Sequence, residues 1–508
     1  MTRLWHELIK LARTRLTFKH MGQYVSAVYL SQGIVAIRSF INARWLGPQD
    51  YGFWGWLAFI VSFGYHLHLG VQEMMIKEIP ALQAKNRLAE AKRLAQITFS
   101  FYFLMLVIGA GLLGVVSFTL PPSTSPTHRL GWIVVGFAMI FEVLFYFEQV
   151  VARSMGYLGK LGSILLMTNS FSLVLTCLLV IRYGIIGIYC VAILTPLFGF
   201  ISLHRFTQYP LKFIWASKKL KDKIRSGWPI VAMGLSFLAI NWVDRSMIIH
   251  YLGIKAHGYY TLGATLSFLV FLFPKGLADI LEPKLHFSHS SETTETSINK
   301  HFLMPLLIFA WLMPLCLLAG HILLPWILRW VLVDYLPGLM VIRILIWTSY
   351  FVGLITLTKS SVVALGRQNH TVPAYLCAIL INGFVSLWMV KHGYGAAGIS
   401  VGSACAFGII SIWLIGLVLA KLKQSRKTTL QYLFEIYLPY ALLGLPNLVY
   451  AWLANTRDHS QSTWLLGLPI AGFIAYVCAG LYRLIHRVNK FSMSLTPEII
   501  NQSVEVLS

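Results

Sequence analysis

Apolar stretches of about 20 residues recur through almost the whole chain, separated by short polar segments. A helix must have roughly 20 mostly apolar residues to cross about 30 Å of hydrocarbon. We therefore predict an all-α integral membrane protein with fourteen transmembrane helices. The predicted spans are 22–43, 53–75, 96–118, 130–152, 162–181, 185–203, 228–251, 258–281, 302–328, 339–362, 372–390, 396–420, 430–452 and 463–485.

The composition excludes most soluble classes of protein. Of the 508 residues 57% are hydrophobic and only 12% are charged, whereas soluble domains carry about a quarter charged residues. We found no P-loop, GxSxG, HExxH or GxGxxG motif in a fitting context, so we predict neither an enzyme nor a cofactor. All six cysteines fall inside predicted helices without CxxC spacing, and we predict no metal site and only a packing role for them.

The basic residues lie mainly in alternate connections between the predicted helices. Of the 41 Lys and Arg, 29 lie on the side of the N-terminus and seven on the other side, which predicts that both termini are cytoplasmic. The linker 204–227 alone holds seven of them. Such clusters beside membrane helices are typical of contacts with anionic membrane lipids, and we do not expect nucleic acid binding.

An internal repeat divides most of the chain into two halves. The segments 45–53 and 251–259 both read aromatic-Leu-Gly-x4-Gly-aromatic, and 183–188 and 394–399 both read Tyr-Gly-x2-Gly-Ile, with Met155-Gly156 and Leu365-Gly366 as a weaker third match. The offset of 206 to 211 residues covers six helices, an even number, so the halves have the same orientation in the membrane. We predict two parallel six-helix lobes around a central cavity.

The predicted organisation follows from the spans and the repeat. It comprises a basic cytoplasmic N-terminus (1–21), an N-lobe (22–203, helices 1–6), a basic cytoplasmic linker (204–227), a C-lobe (228–420, helices 7–12), two additional helices (430–485) and a cytoplasmic tail (486–508).

Several motifs resemble a known family. The turn Leu46–Gly52, the stretch Leu69–Val71 followed by Lys77–Ile79, and Val243–Arg245 leading into Tyr251–Gly253 are similar to polysaccharide flippases of the multidrug/oligosaccharidyl-lipid/polysaccharide exporter superfamily. The resemblance covers helices 1–12. It implies a V-shaped cavity and transport of undecaprenyl-diphosphate-linked, O-antigen-type oligosaccharide units from the cytoplasmic to the periplasmic leaflet of the bacterial inner membrane. A polysaccharide polymerase is then a further candidate partner.

Charged residues at membrane depth are the candidate site residues, because each costs about 2.5–3.5 kcal/mol to insert. We assign substrate binding to four cations and ion coupling to three acids: Arg38, Arg245, Lys275 and Lys359 for the substrate, and Asp244, Glu142 and Asp279 for the ion. Along helix 1, Tyr24, Ser31, Arg38 and Asn42 share one face, which is expected to line the cavity.

Arg38 and Asp244 occupy equivalent positions in the repeat, 206 residues apart, but carry opposite charges. Either they form a buried pair between the lobes, or Asp244 is neutralised by its own neighbours. The functional alternative is that Arg38 binds the diphosphate through parallel hydrogen bonds and Asp244 is a proton or sodium site. Lys275 likewise either pairs with Asp279, four residues later, or faces the cavity beside Pro274.

Three functions are compatible with these features. The first is a flippase for lipid-linked oligosaccharide that works by alternating access, with lipopolysaccharide O-antigen as the product class. The second is a cation-coupled multidrug or lipid II-type exporter of the same superfamily. The third is a non-transporting membrane polymerase or glycosyltransferase, which the short outer connections disfavour.

Overall fold

The computed structural model describes residues 2–121, 124–208, 211–288, 302–420, 426–456 and 467–494, without the side chains of 2–21 and 273–288 among others. All regular structure in these ranges is helical. The helices are α1 (Thr2–Gly64), α2 (Val71–Ala84), α3 (Leu88–Thr119), α4 (Pro126–Ser154), α5 (Leu158–Leu175), α6 (Ile181–Tyr183), α7 (Ile185–Thr207), α8 (Ser217–Ser288), α9 (Met304–Val331), α10 (Leu339–Ala364), α11 (Val372–Lys391), α12 (Gly395–Leu419), α13 (Arg426–Thr456) and α14 (Gly467–Ser494). A π-helical turn (Thr176–Val180) joins α5 to α6, and 3-10 turns at Val333–Gly338 and Gln368–Thr371 precede α10 and α11.

The two longest helices each contain one sharp kink at a glycine. Gly47 in α1 has φ 66° and ψ 174°, and Gly253 in α8 has φ 82° and ψ 174°. Both values lie in the positive-φ region that glycine reaches without steric cost. Each kink therefore joins two predicted membrane helices within one continuous element, and the aromatic-Leu-Gly motif of the repeat is the turn itself.

The other repeat motifs also adopt matching backbone conformations. Gly156 and Gly366 have φ 80° and 67°, and Gly184 and Gly395 have φ 55° and 56°. In both lobes these glycines stand at the same type of helix junction. The internal repeat inferred from the sequence is thus a repeat of backbone geometry.

The chain is a multi-pass membrane protein. In the described residues eleven helices are long and apolar enough to cross a membrane, and two of them, Gly22–Gly64 and Leu220–Val270, each include one predicted span and the first part of the next. A shorter apolar helix, Gly467–Gly480, corresponds to the last predicted span. The count of fourteen spans stays a prediction.

One predicted span is interrupted. The segment 53–75 was expected to be a single helix, but α1 ends at Gly64 and α2 begins at Val71. Leu69 and Gly70 have φ 48° and 97°, and the Nδ1 of His68 accepts a hydrogen bond from the amide of Gly70. Hydropathy does not reveal this break, because the residues that make the turn are themselves mostly apolar.

The six cysteines are free and exposed on the surface of the helical bundle. The packing role expected for them is therefore wrong. In a membrane helix, a small apolar side chain faces lipid as readily as it faces protein, because lipid tails are as apolar as a core.

The lobes touch along α1 beyond its kink and along α8 before and after its kink. At one end a Cβ on Gly52 would lie 2.7 Å from the amide nitrogen of Gly258, and we call this the kink end. At the opposite end a Cβ on Gly70 would lie 2.7 Å from the Cα of Gly227. There the Lys223 ammonium is also 2.6 Å from the Glu78 carboxylate. Glycines on both sides allow backbone contact at both ends.

Candidate functional site

A cavity of about 220 Å³ lies inside the N-lobe, between both halves of α1 and helices α4 and α7. Its wall is mostly apolar, with a few polar groups on different helices. The lining residues are Arg38, Asn42, Trp54, Ala58, Val61, Ser62, Tyr65, Ala138, Glu142, Ile188, Val191, Ala192, Thr195 and Pro196. A concave apolar wall with a small number of converging polar groups is the usual form of a ligand site.

Arg38 presents its guanidinium to this N-lobe cavity. One Nη donates a hydrogen bond to Ser172 on α5, while the Nε is buried and has no hydrogen-bond partner in the described residues. The side-chain oxygens of Asn42 and Thr195, also in the wall, are buried without partners as well. Buried polar atoms are almost always hydrogen-bonded in native proteins, so three unpaired polar atoms in residues of one cavity wall are unusual.

Glu142 faces the same cavity from α4. Its Oε1 accepts a hydrogen bond of 2.7 Å from the hydroxyl of Tyr65, and its charge acts on Arg38. The two side chains form no ion pair within 4 Å in the part of the chain that the structure describes. A cation and an acid thus share one cavity without neutralising each other by contact.

Asp244 in the C-lobe has a different environment. Its carboxylate is completely buried and accepts three side-chain hydrogen bonds: from Tyr260 at 2.8 Å, Asn382 at 2.7 Å and Ser403 at 2.7 Å. Asn382 also donates to the carbonyl of Ile240, and Ser386 donates to the amide oxygen of Asn382. The cluster brings together α8, α11 and α12.

The buried pair between Arg38 and Asp244, one of the alternatives left open by the sequence, does not form in the structure. The partners of Asp244 all lie in the C-lobe, and Arg38 bonds within the N-lobe. Equivalent repeat positions therefore lie in separate lobes, each with its own partners.

Arg245 packs between the lobes. Its guanidinium lies 4.2 Å from the ring centroid of Phe59 and 5.8 Å from that of Tyr260, and an Nη approaches the carbonyl of Gly55 at 3.4 Å. Cation–π contacts of this kind stabilise a desolvated cation by about 2 kcal/mol. Arg245 does not line the N-lobe cavity.

The remaining candidates are less fully placed. Lys359 is partly buried on α10, and its charge acts on His66, which packs against Gly234 where the lobes touch. Lys275 and Asp279 lie on helical backbone of α8, but their side chains fall outside the described residues. Whether these two pair stays an open prediction.

Sequence reasoning missed the partners that define both environments. In the N-lobe cavity, Tyr65 is hydrogen-bonded to Glu142 and Ser172 to Arg38. In the C-lobe, hydrogen bonds to Asp244 come from Tyr260, Asn382 and Ser403. One signal was available: Asn382 and Ser386 are polar residues four apart on an otherwise apolar helix, and hence on one face.

Comparison with solved structures identifies the fold. An inward-facing multidrug resistance MATE family transporter of the MOP superfamily matches with a TM-score of 0.64 and 14% identity, over 78% of this chain and 96% of that one. The lipid II flippase MurJ in an inward closed conformation matches with a TM-score of 0.62 and 13% identity, over 91% of this chain and 99% of that one.

A third structure, the MATE transporter ClbM in complex with Rb⁺, matches with a TM-score of 0.55 and 14% identity, over 82% of this chain and 97% of that one. No protein-family model and no curated protein matches the chain. The chain has the fold that these MATE transporters share with MurJ. At this level of identity the likeness concerns the fold alone.

Proposed function

We propose that the protein is a flippase that moves undecaprenyl-diphosphate-linked oligosaccharide from the cytoplasmic to the periplasmic leaflet of the inner membrane by alternating access. The observation that carries the proposal is the N-lobe cavity, where Arg38 keeps a buried Nε–H without a partner. Guanidinium groups bind phosphate oxygens through parallel hydrogen bonds. The likeness to the lipid II flippase MurJ, which spans 91% of this chain, supports the same class.

Arg38 and Glu142 together suggest how cargo binding is coupled to a proton. An ionised Glu142 attracts Arg38 and repels an anionic headgroup, whereas a protonated Glu142 leaves the guanidinium free for phosphate. Proton uptake at Glu142 would then accompany cargo binding. Lys275, Lys359 and Arg245 are proposed as further contacts of the anionic headgroup along its path.

Asp244 is proposed as a second coupling site, for a proton or for sodium. Sodium prefers oxygen ligands, and the buried Asp244 carboxylate supplies two such oxygens. Asp279 remains a third candidate because it follows Pro274 and Lys275 on α8. A polysaccharide polymerase is the proposed partner on the periplasmic side.

The alternative is a cation-coupled multidrug or lipid II-type exporter. The likeness to MATE transporters favours it, as does Glu142 beside Trp54 in the N-lobe cavity, since an acid and an aromatic ring suit an organic cation. Arg38 in the same cavity opposes it, because a guanidinium repels a cationic drug.

Deletion of the gene in its own host tests the proposal. We expect undecaprenyl-linked single repeat units to accumulate in the cytoplasmic leaflet and surface polysaccharide to disappear, with rescue by the wild-type gene. Normal polysaccharide together with retention of cationic dyes would contradict the flippase and identify a drug exporter.

A further inference from the structure

His257 lies at the contact between the lobes at the kink end. Its ring is completely buried, and its Nδ1 is 2.8 Å from the carbonyl oxygen of Gly52, which belongs to the other lobe. The ring of Trp56, also in the other lobe, stands edge-on at 6.3 Å. Since a carbonyl oxygen can only accept, the Nδ1 carries the proton and the neutral imidazole joins the lobes.

The backbones of the two lobes are in close contact beside this bond. A Cβ on Gly258 would lie 2.7 Å from the carbonyl carbon of Pro48, in addition to the close approach of Gly52 to the Gly258 amide. Gly52 and Gly258 are the equivalent second glycines of the repeat motif, 206 residues apart. Each half of the repeat therefore supplies one glycine to this buried contact between the lobes.

The second ring nitrogen of His257 is the unusual feature. The Nε2 is buried and has no hydrogen-bond partner in the described residues. The positive charge of Arg245 acts electrostatically on the ring. The hydroxyl oxygen of Thr261 is 3.5 Å from the Nδ1 of His257. Among the described residues of α1, the Gly52 carbonyl and the Trp56 ring contact the His257 ring, and neither titrates.

The titratable groups of α8 near the ring complete this environment. Tyr260 stacks on the ring with 6.3 Å between the ring centroids, and its hydroxyl donates a hydrogen bond to the Asp244 carboxylate. This carboxylate also accepts hydrogen bonds from Asn382 and Ser403. A second proton on His257 would create an unpaired N–H and a positive charge near the Arg245 guanidinium in a buried contact. Both effects are unfavourable in the closed arrangement.

We propose that His257 is a proton-sensitive latch between the lobes: the neutral ring holds the kink end closed, and protonation opens it. Closing must release the proton, so acidification favours the open arrangement by linkage. The charge bias predicts that the kink end faces the periplasm, where acid would open the exit for cargo. The latch rests on the lobe movement of the proposed flippase, but its test needs no cargo, so the two can fail separately.

A distance measurement between the lobes tests the latch. Spin labels are placed at the exposed residues Gln49 and Lys255, one in each lobe, after the six native cysteines are replaced by serine. The full chain in lipid nanodiscs is measured by double electron–electron resonance at about pH 7.5 and about pH 5.5, on either side of the ordinary imidazole pKa of about 6.5. We expect the longer-distance population to rise at least about threefold in acid.

Two variants separate His257 from other titrating groups. His257→Gln keeps a side-chain N–H for the Gly52 carbonyl but cannot gain a proton, and its opening by acid should be reduced at least about twofold. His250→Gln removes an exposed histidine from the same helix and should retain the full acid response. A pH-independent distance in the wild type, or undiminished opening by acid in His257→Gln, would overturn the latch.

If His257→Gln fails to fold, as judged by its size-exclusion profile, His257→Asn tests the same point. It also keeps a side-chain N–H and cannot gain a proton, so it should reduce the opening by acid at least about twofold. An undiminished response in that variant would also overturn the proposal.

Discussion

The two lobes share a backbone plan but differ in what they build at its equivalent positions. Arg38 and Asp244 are 206 residues apart and lie on corresponding helices. In the N-lobe, Arg38 lines a cavity of about 220 Å³ and its buried Nε–H has no hydrogen-bond partner among the described residues. In the C-lobe, Asp244 is enclosed and accepts three hydrogen bonds. A site with an open cavity and an unpaired hydrogen-bond donor is suited to a ligand. A buried site whose carboxylate makes three hydrogen bonds also contributes to stability.

The largest expected effect is on transport, in the N-lobe. Arg38→Ala should lower the rate of lipid-linked oligosaccharide flipping in proteoliposomes by about 100-fold, because hydrogen bonds to charged groups are worth about 1.5–3 kcal/mol each. Arg38→Lys should recover only part of the rate, since an ammonium lacks the planar fork. The matched control is Arg182→Ala, an exposed arginine of the same lobe, with an unchanged rate. Normal flipping by Arg38→Ala would remove Arg38 from the site.

The second effect is on stability and should be confined to the C-lobe position. Asp244→Ala removes the acceptor that Tyr260, Asn382 and Ser403 share, and we expect a loss of about 3 kcal/mol in the free energy of unfolding. Arg38→Ala should cost about 1 kcal/mol or less, since Arg38 makes one hydrogen bond beside a cavity. Chemical denaturation in detergent micelles compares the two. Equal losses would mean that the lobes do not differ in this way.

The smallest effects sharpen the same contrast. Ser403→Ala removes one of three donors to Asp244 and should destabilise the protein by about 1 kcal/mol. Ser172→Ala removes the acceptor of Arg38 and should instead slow flipping about threefold, because the guanidinium loses orientation while its charge remains. Denaturation and flipping assays on both variants should give opposite rankings. Identical rankings would contradict the view that the Arg38 position acts in transport and the Asp244 position in stability.

Hydropathy and glycine spacing predict a large part of the architecture. The apolar segments lie in helices, and the three pairs of repeat glycines have matching φ values. The predicted polar face of the first helix is partly right, since Arg38 and Asn42 line the N-lobe cavity while Tyr24 and Ser31 are not among its lining residues. A helical period fixes which residues share a face, but not how deeply a neighbouring helix covers them.

The side-chain partners could not be predicted in the same way. Ser172 is 134 residues from Arg38, and Asn382 and Ser403 are 138 and 159 residues from Asp244. Such contacts depend on how helices from distant parts of the chain pack, and a single sequence carries no period that relates them. Lone serines and asparagines in apolar helices are therefore the residues to inspect first in chains of this kind.

The kinks at Gly47 and Gly253 give the wall of each lobe a mechanical property. Because α1 and α8 run through their kinks without a loop, the helix after each glycine is a stiff arm fixed at its first turn. From Gly47 to Gly64 this arm is about 25 Å long at 1.5 Å per residue. A rotation of about 10° at the kink would displace its far end by about 4 Å. The Gly52–Gly258 contact lies close to the pivot, so the same rotation separates these two backbones by only a fraction of that distance.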